Sequence, residues 1–152
     1  MIDIIVKYEG TLDKFMGDCI MCYWGAPIEV ADNAERAIKC AMEMQEKLQE
    51  LNKKWQSEGK VLFDIGIGIN TGEVVAGNIG DIRKMEYTVI GDNVNLAQRL
   101  EGLTSELKSK ILISGSTYNK TKELVEVRKL EAVEVKGKSE KVGVWEVLGV
   151  RV

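Results

Sequence analysis

Histidine is absent from the 152 residues, which removes imidazole as a metal ligand and as an acid–base group near neutral pH. Cysteine is scarce: Cys19, Cys22 and Cys40 are an odd set of three, too few for a disulfide framework, and they read as reduced, cytosolic thiols. Cys19 and Cys22 form a C-x-x-C, but positions three apart on a strand point to opposite faces and no second pair follows, so zinc is set aside. A basic excess is also missing. The net charge of -3 and a pI near 5.2 argue against a general nucleic-acid binder. No window approaches the ~20 apolar residues that span a bilayer, and no signal peptide opens the chain. The expected location is cytoplasmic, alone or as the cytosolic part of a larger, membrane-attached protein.

What is present is ample apolar content, 45% of the chain, enough to bury a core in one domain. Residues Ile2 to Tyr8 read as a strand or the last turns of a helix, ended by Glu9-Gly10; with no cap before them, something is expected to precede. Thr11 to Trp24 reads as two short strands reversing at Gly17-Asp18, because Gly supplies the positive φ and Asp tolerates it. The run KFMGDCIMCYW (Lys14 to Trp24) sets Asp18 inside apolar sequence. An unpartnered carboxylate there is costly unless it sits on a turn or meets a cation.

Asp32 and Glu35 fit a capping box. Ala34, Ile38, Ala41, Met44, Leu48, Leu51 and Trp55 then recur at helical spacing, predicting one long amphipathic helix, ending by Gly59, on a sheet. Val61 to Val75 and Met85 to Ile90 are strand-like. A helix is expected over Asn93 to Leu103 with Asp92 as its N-cap. Short strands are expected around Ile111 to Ser114, Leu124 to Val135 and Val142 to Leu148, the last two joined at Lys136-Gly-Lys. Strands joined as hairpins and mixed with two or three helices indicate an α+β layer fold with helices on one face.

Two features bear on chemistry. The glycines of GIGINTGEVVAGNIG match neither the dinucleotide nor the P-loop spacing, and read as turns and close backbone approaches. Asn95 and Arg99 stand four apart on the expected helix and so leave one face a turn apart. An amide that can hold a sugar oxygen beside a permanent guanidinium charge suits a phosphoryl transition state; the same spacing also describes an ordinary solvated face.

Three segments together carry a resemblance. GTLDKFMGDCIMCYWGAP (Gly10 to Pro27), IGIGINTGEVVAGNIG (Ile65 to Gly80) and EYTVIGDNVNLAQRLE (Glu86 to Glu101) resemble, in order and spacing, the signatures of class III nucleotidyl cyclase catalytic domains of the adenylate cyclase type. The resemblance covers nearly the whole chain. It implies a ferredoxin-like antiparallel sheet with helices packed on one face, and conversion of ATP to 3′,5′-cyclic AMP and pyrophosphate. It implies two Mg²⁺ or Mn²⁺ ions, one bound by Asp18 as the second of the family's two metal aspartates. It further implies that Lys14 and Thr88 read the purine. Glu and Cys at those positions accompany GTP, so this pair reads as adenine-selective. By the same likeness Asn95 orients the ribose, Arg99 stabilises the reacting α-phosphate and Lys136 contacts the terminal phosphates. The partner implied is a second subunit in a head-to-tail homodimer, with a sensor or membrane domain upstream in the full-length protein.

One departure is large. The family's first strand, F-x-D-I-x-G-F/[ST], brings the first metal aspartate, and nothing before Met1 supplies it. Phe63-Asp64-Ile65-Gly66 mimics that motif but falls on a later strand, so Asp64 reads as a decoy. Residues 1–152 are therefore expected to be a single, N-terminally incomplete cyclase domain, inactive alone. The competing reading is a non-catalytic nucleotide-binding, regulatory or dimerisation module. A diguanylate-cyclase relationship would require G-G-[DE]-[DE]-F where this chain has Met-Gly-Asp-Cys.

Overall fold

The computed structural model describes residues 1–131, 133–134 and 141–152; Lys136 lies outside them. The chain opens with a helix, α1 (Ile2–Lys7), rather than a strand, because Ile4 and Ile5 bury together on one side. It docks on the long helix α2 (Asn33–Ser57) through Glu43, which accepts from Lys7 Nζ at 2.6 Å and Tyr8 Oη at 2.7 Å. Between them the hairpin of β1 (Thr11–Met16) and β2 (Cys19–Tyr23) turns at Gly17, whose φ of +62° is the left-handed conformation glycine tolerates. One residue of β1 is out of step. Leu12 pairs with Cys22 and Lys14 with Met21, so Asp13 is the extra residue of a bulge.

The helix α2 buries Ala34, Ala37, Ile38, Cys40, Ala41, Met44, Gln45 and Leu48, the inward stripe its periodicity predicts. The capping box does not form. Asp32 is the N-cap, but its carboxylate makes no cap bond and accepts instead from Arg36 Nε at 2.7 Å; a charge-assisted bond one turn away displaces the backbone amide.

After α2 the strand expectation for Val61 to Val75 holds only over β3 (Ile67–Ile69) and at its last residue, Val75. Side-chain amides of α2 take the place of a partner strand for the segment before it. Asn52 donates to Phe63 O at 2.7 Å and accepts from Phe63 N at 3.0 Å, and Gln45 donates to Ile65 O at 2.9 Å. The strand β4 (Val75–Asp81), unread in the sequence, pairs with β5 (Lys84–Ile90) as a hairpin. Then come α3 (Asp92–Glu106), β6 (Ile111–Ser114) and α4 (Gly115–Thr121). The N-cap of α3 is Gly91 rather than Asp92. The strand expected over Leu124 to Val135 divides into β7 (Val125–Lys129) and β8 (Val133–Glu134), and β9 (Lys141–Val142) leads into β10 (Val144–Val150).

The central sheet has the order β3-β6-β10-β7, with β3–β6 parallel and the other pairs antiparallel. This is the α+β layer class expected, except that the helices, expected on one face, cover both. The helices α2 and α4 share one face, where Ile38 and Ala41 pack with Ile111, Ile113, Val125, Val147 and Tyr118. The alternate residue, Leu112, packs with Leu96 and Leu100 of α3, so α3 covers the opposite face. Burial on both faces is why β6 reads as an unbroken apolar run, Ile111-Leu112-Ile113, with every residue buried.

Candidate active site

The hairpin β1–β2 and the strand β5 meet at one carboxylate. Thr88 Oγ1 donates to Asp13 Oδ2 at 2.6 Å, a bond between residues 75 apart in sequence. The ammonium of Lys14 stands 3.9 Å from the other Asp13 oxygen and 3.5 Å from Glu86 Oε2. Thr88 is buried, and the Asp13 side chain is only 2% exposed. Two local features make this possible. In β5 residues 86 and 88 share a face by strand alternation, and the bulge at Asp13 lets consecutive residues of β1 serve one cluster. Lys14 and Thr88 are thus brought together inside one chain. Asp13 and Glu86 were missed in the sequence. Alternation puts Glu86 beside Thr88, whereas a one-residue bulge leaves no sequence signal.

From Thr88 the chain passes through buried Val89 and exposed Ile90 into Gly91, whose φ of +138° turns the strand into α3. Gly91 O then accepts from the amides of Val94 and Asn95 at 3.1 and 3.2 Å. Leu96 and Leu100 are the core stripe of this helix. Asn95 and Arg99, one position before each, ride beside that stripe, Asn95 exposed and Arg99 half-buried. Among the described residues no carboxylate lies within ion-pair reach of Arg99, so its charge is not spent internally.

The position of α3 is set by glycine. A Cβ on Gly68 would lie 2.2 Å from Glu101 N and 2.4 Å from Ala97 O, and one on Gly66 would lie 1.8 Å from Thr104 Oγ1. Gly68 is the close backbone approach anticipated for these glycines, while Gly66 and Gly72 make room for the side chains of Thr104 and Asn93.

Asp18 stands exposed at the β1–β2 turn, and among the described residues no cation pairs with it. Asp64 is exposed and ion-paired with Lys110. No group of three or more Cys, Asp or Glu side chains among the described residues could hold a metal. All three cysteines carry free thiols. Burial pushes the Cys22 thiol up to about 11 and that of Cys40 up to about 12, and it raises Cys19 with help from Glu101 and Asp18. Such thiols are poor ligands and poor nucleophiles.

The family model for adenylate and guanylate cyclase catalytic domains matches residues 3–147. The chain belongs to this class III cyclase family. Adenylate cyclase 1 of Rhizobium meliloti is 34% identical over 148 residues, covering 97% of the chain and 22% of that protein. The adenylate cyclase of Anabaena cylindrica is 35% identical over 145 residues, 91% of the chain and 28% of that protein. The cyclase domain thus spans about a quarter of these relatives. Among solved structures, the adenylyl cyclase CyaB from P. aeruginosa superposes with a TM-score of 0.90 at 37% identity, covering 98% of this chain and 76% of that one. The guanylyl cyclase Cya2 superposes with a TM-score of 0.89 at 41% identity, covering 99% and 75%. Overall likeness therefore does not decide the base. Among the described residues of the cyclase domain, no helix is long and apolar enough to cross a membrane.

Proposed function

We propose that the domain is the catalytic part of an adenylate cyclase, converting ATP to 3′,5′-cyclic AMP and pyrophosphate. One observation carries the choice of base: Lys14 and Thr88 converge on Asp13, at 3.9 and 2.6 Å. An ammonium can only donate, which suits the unprotonated N1 of adenine, and a threonine oxygen can accept from its amino group. In the reaction the ribose 3′-oxygen loses its proton and bonds to the α-phosphorus as the bond to pyrophosphate breaks. Asn95 holds the ribose so that the 3′-oxygen faces phosphorus. Arg99 answers the charge that grows on the α-phosphate oxygens, an interaction stronger in the transition state than in the ground state. Lys136 is assigned the terminal phosphates.

Asp18 fits Mg²⁺ or Mn²⁺: it is a hard oxygen donor on an exposed turn, and Mg²⁺ is commonly held by one or two carboxylates plus substrate phosphates. When bound, two such ions would activate the 3′-hydroxyl and shield the triphosphate. Asp18 is the one matched metal aspartate in the 152 residues, so this stretch alone is proposed to be inactive. Two copies head to tail would place Asp18 of one against Arg99 of the other; a dimeric guanylyl cyclase domain from Blastocladiella emersonii is a structural neighbour (TM-score 0.78, 31% identity, covering 98% of this chain and 77% of that one). Three unpaired thiols fit a cytoplasmic setting.

The test is turnover of ATP against GTP by the domain joined to an F-x-D-I-x-G-F strand. Strong ATP preference is expected, shifting toward GTP when Lys14→Glu and Thr88→Cys are combined. Equal turnover of both nucleotides by the parent would defeat the assignment. The non-catalytic reading predicts nucleotide binding with no cyclic product even with that strand restored.

A further inference from the structure

A threonine hydroxyl is by itself a poor reader of purines. It has one proton and two lone pairs, and it rotates to donate or accept as the ligand requires. A free Thr88 would accept from the amino group of adenine and donate as readily to the carbonyl of guanine. Something must fix its proton, and the structure holds a group placed to do so.

We infer that Asp13 is a specificity-determining positioning residue, which fixes Thr88 as an acceptor and so selects ATP over GTP. The inference rests on the purine-reading role given to Thr88 above. At 2.6 Å the hydroxyl proton of Thr88 is committed to Asp13 Oδ2, because a carboxylate can only accept. The lone pairs that remain can meet the adenine amino group, while guanine would present oxygen to oxygen. The other Asp13 oxygen faces Lys14 Nζ at 3.9 Å. That charge keeps a donor-only ammonium beside the threonine, matched to adenine N1 and mismatched to the N1–H of guanine. One carboxylate thereby fixes the polarity of Thr88 and holds Lys14 beside it.

The placement of Asp13 supports this. Its side chain is 2% exposed, although a charged group belongs in water unless it is paired and hydrogen-bonded. It reaches the cluster because β1 bulges at that residue, and bulges gather where a side chain must be re-aimed. A purely structural anchor between β1 and β5 would need neither the charge nor the half-buried Lys14 and exposed Glu86 beside it.

The experiment measures kcat/KM for ATP and GTP in the full-length, catalytically complete protein carrying this domain, comparing Asp13→Asn, Thr88→Val and the pair combined. The amide of Asn can donate to Thr88 Oγ1, which frees the hydroxyl proton to meet guanine. In Asp13→Asn the ATP:GTP ratio should fall roughly 10- to 100-fold, with GTP turnover rising in absolute terms. Loss of packing alone cannot raise GTP turnover. Thr88→Val should also lower the ratio, and adding Asp13→Asn to it should change the ratio little further, since Asp13 acts through Thr88. Should Asp13→Asn misfold, the apolar isostere Asp13→Leu carries the same expectation for the ratio. If Thr88→Val lowers the ratio but neither Asp13 variant moves it beyond about twofold, the inference is overturned and the adenine reading stands. An equal loss with both nucleotides would reduce Asp13 to a structural anchor. If Thr88→Val leaves the ratio unchanged, the purine-reading assignment itself fails, and the role of Asp13 fails with it.

Discussion

Two glycine-to-alanine changes, one at the contact of β3 with α3 and one on the exposed side of α3, should move stability in opposite directions. Gly68 sits on β3 where α3 crosses, and a Cβ there would lie 2.2 Å from Glu101 N, 2.4 Å from Ala97 O and 2.8 Å from the Leu100 carbonyl carbon. All three are backbone atoms, so no rotamer change can relieve the clash. Recovering an ordinary separation of ~3.5 Å requires α3 to retreat by about 1 Å. Overpacking of this kind costs about 1–3 kcal/mol, and rigid backbone puts Gly68→Ala at the upper end. Subtracting about 0.4–1 kcal/mol for the stiffer unfolded chain leaves a net loss of about 2 kcal/mol. For a domain of this size that is a fall in Tm of roughly 4–8 °C. Gly102, in the same helix, has no heavy atom within 4 Å of its ideal Cβ and is exposed. Gly102→Ala should therefore gain about 1 kcal/mol of helix propensity and raise Tm by roughly 2–4 °C.

The assay is thermal and urea unfolding followed by circular dichroism, with the slope in urea checked for constancy so that midpoints report stability. Because α3 also carries Asn95 and Arg99, Gly68→Ala should lower turnover in the complete protein by ~10²-fold, the scale of a 1 Å misplacement. Gly102→Ala should leave turnover within a factor of about two. If the two variants shift Tm in the same direction, or Gly68→Ala lies within about 1 °C of the parent, the account of the glycines as a close-approach device is wrong.

Arg99→Ala should lower kcat by ~10²-fold or more while ATP binding changes far less; abolished binding with normal saturated turnover would remove its transition-state role. Raised thiol values mean that the folded state keeps protons the unfolded chain releases, so stability is fully present below pH 9 and declines as pH rises toward about 11 and 12 for Cys22 and Cys40. The decline in urea midpoint over that window should flatten in Cys22→Ala and Cys40→Ala; thiolate absorbance of the folded chain titrating near 9 at all three cysteines would contradict it. The 152 residues alone should give negligible cyclic AMP with ATP and Mg²⁺ or Mn²⁺, and joining an F-x-D-I-x-G-F strand to them should give turnover that Asp18→Ala then abolishes. Robust turnover by the short chain would instead call for a second carboxylate, with Asp64 the first to mutate.

The parts of the fold that local physics decides were legible from the residues. The helix α2 announces itself by its stripe from Ala34 to Trp55, the β1–β2 reversal by Gly17-Asp18, and β6 by its apolar run. Where two local solutions compete, tertiary partners chose. Val61 to Ile65 has the composition of a strand, yet Asn52 and Gln45 of α2 bind the backbone of Phe63 and Ile65. Asp32 could have capped α2, yet Arg36 offered a charge. The strand β4 carries too many glycines to read as a strand, and only its register with β5 makes it one. The helix α4, with the sequence GSTYNKT, has no apolar period. It is held by Ser114 as N-cap and by a hydroxyl pair, Thr71 with Thr117 at 2.9 Å.

The candidate site divides along the same line. Lys14, Asp18, Thr88, Asn95 and Arg99 were found because they lie in contiguous motifs whose order and spacing survive in one dimension. Asp13 was not, although it is adjacent to Lys14. On a regular strand neighbours point to opposite faces, so the pattern of β1 alone would aim Asp13 away from Lys14 and Thr88. The extra residue between the Leu12–Cys22 and Lys14–Met21 pairs reverses that inference, and a bulge of one residue is invisible until its partner strand is in place. Departures from the local rule of this kind belong where function demands them. At Asp13 the demand is a carboxylate that holds a hydroxyl proton away from the base, which a strand in perfect register could not deliver beside Lys14.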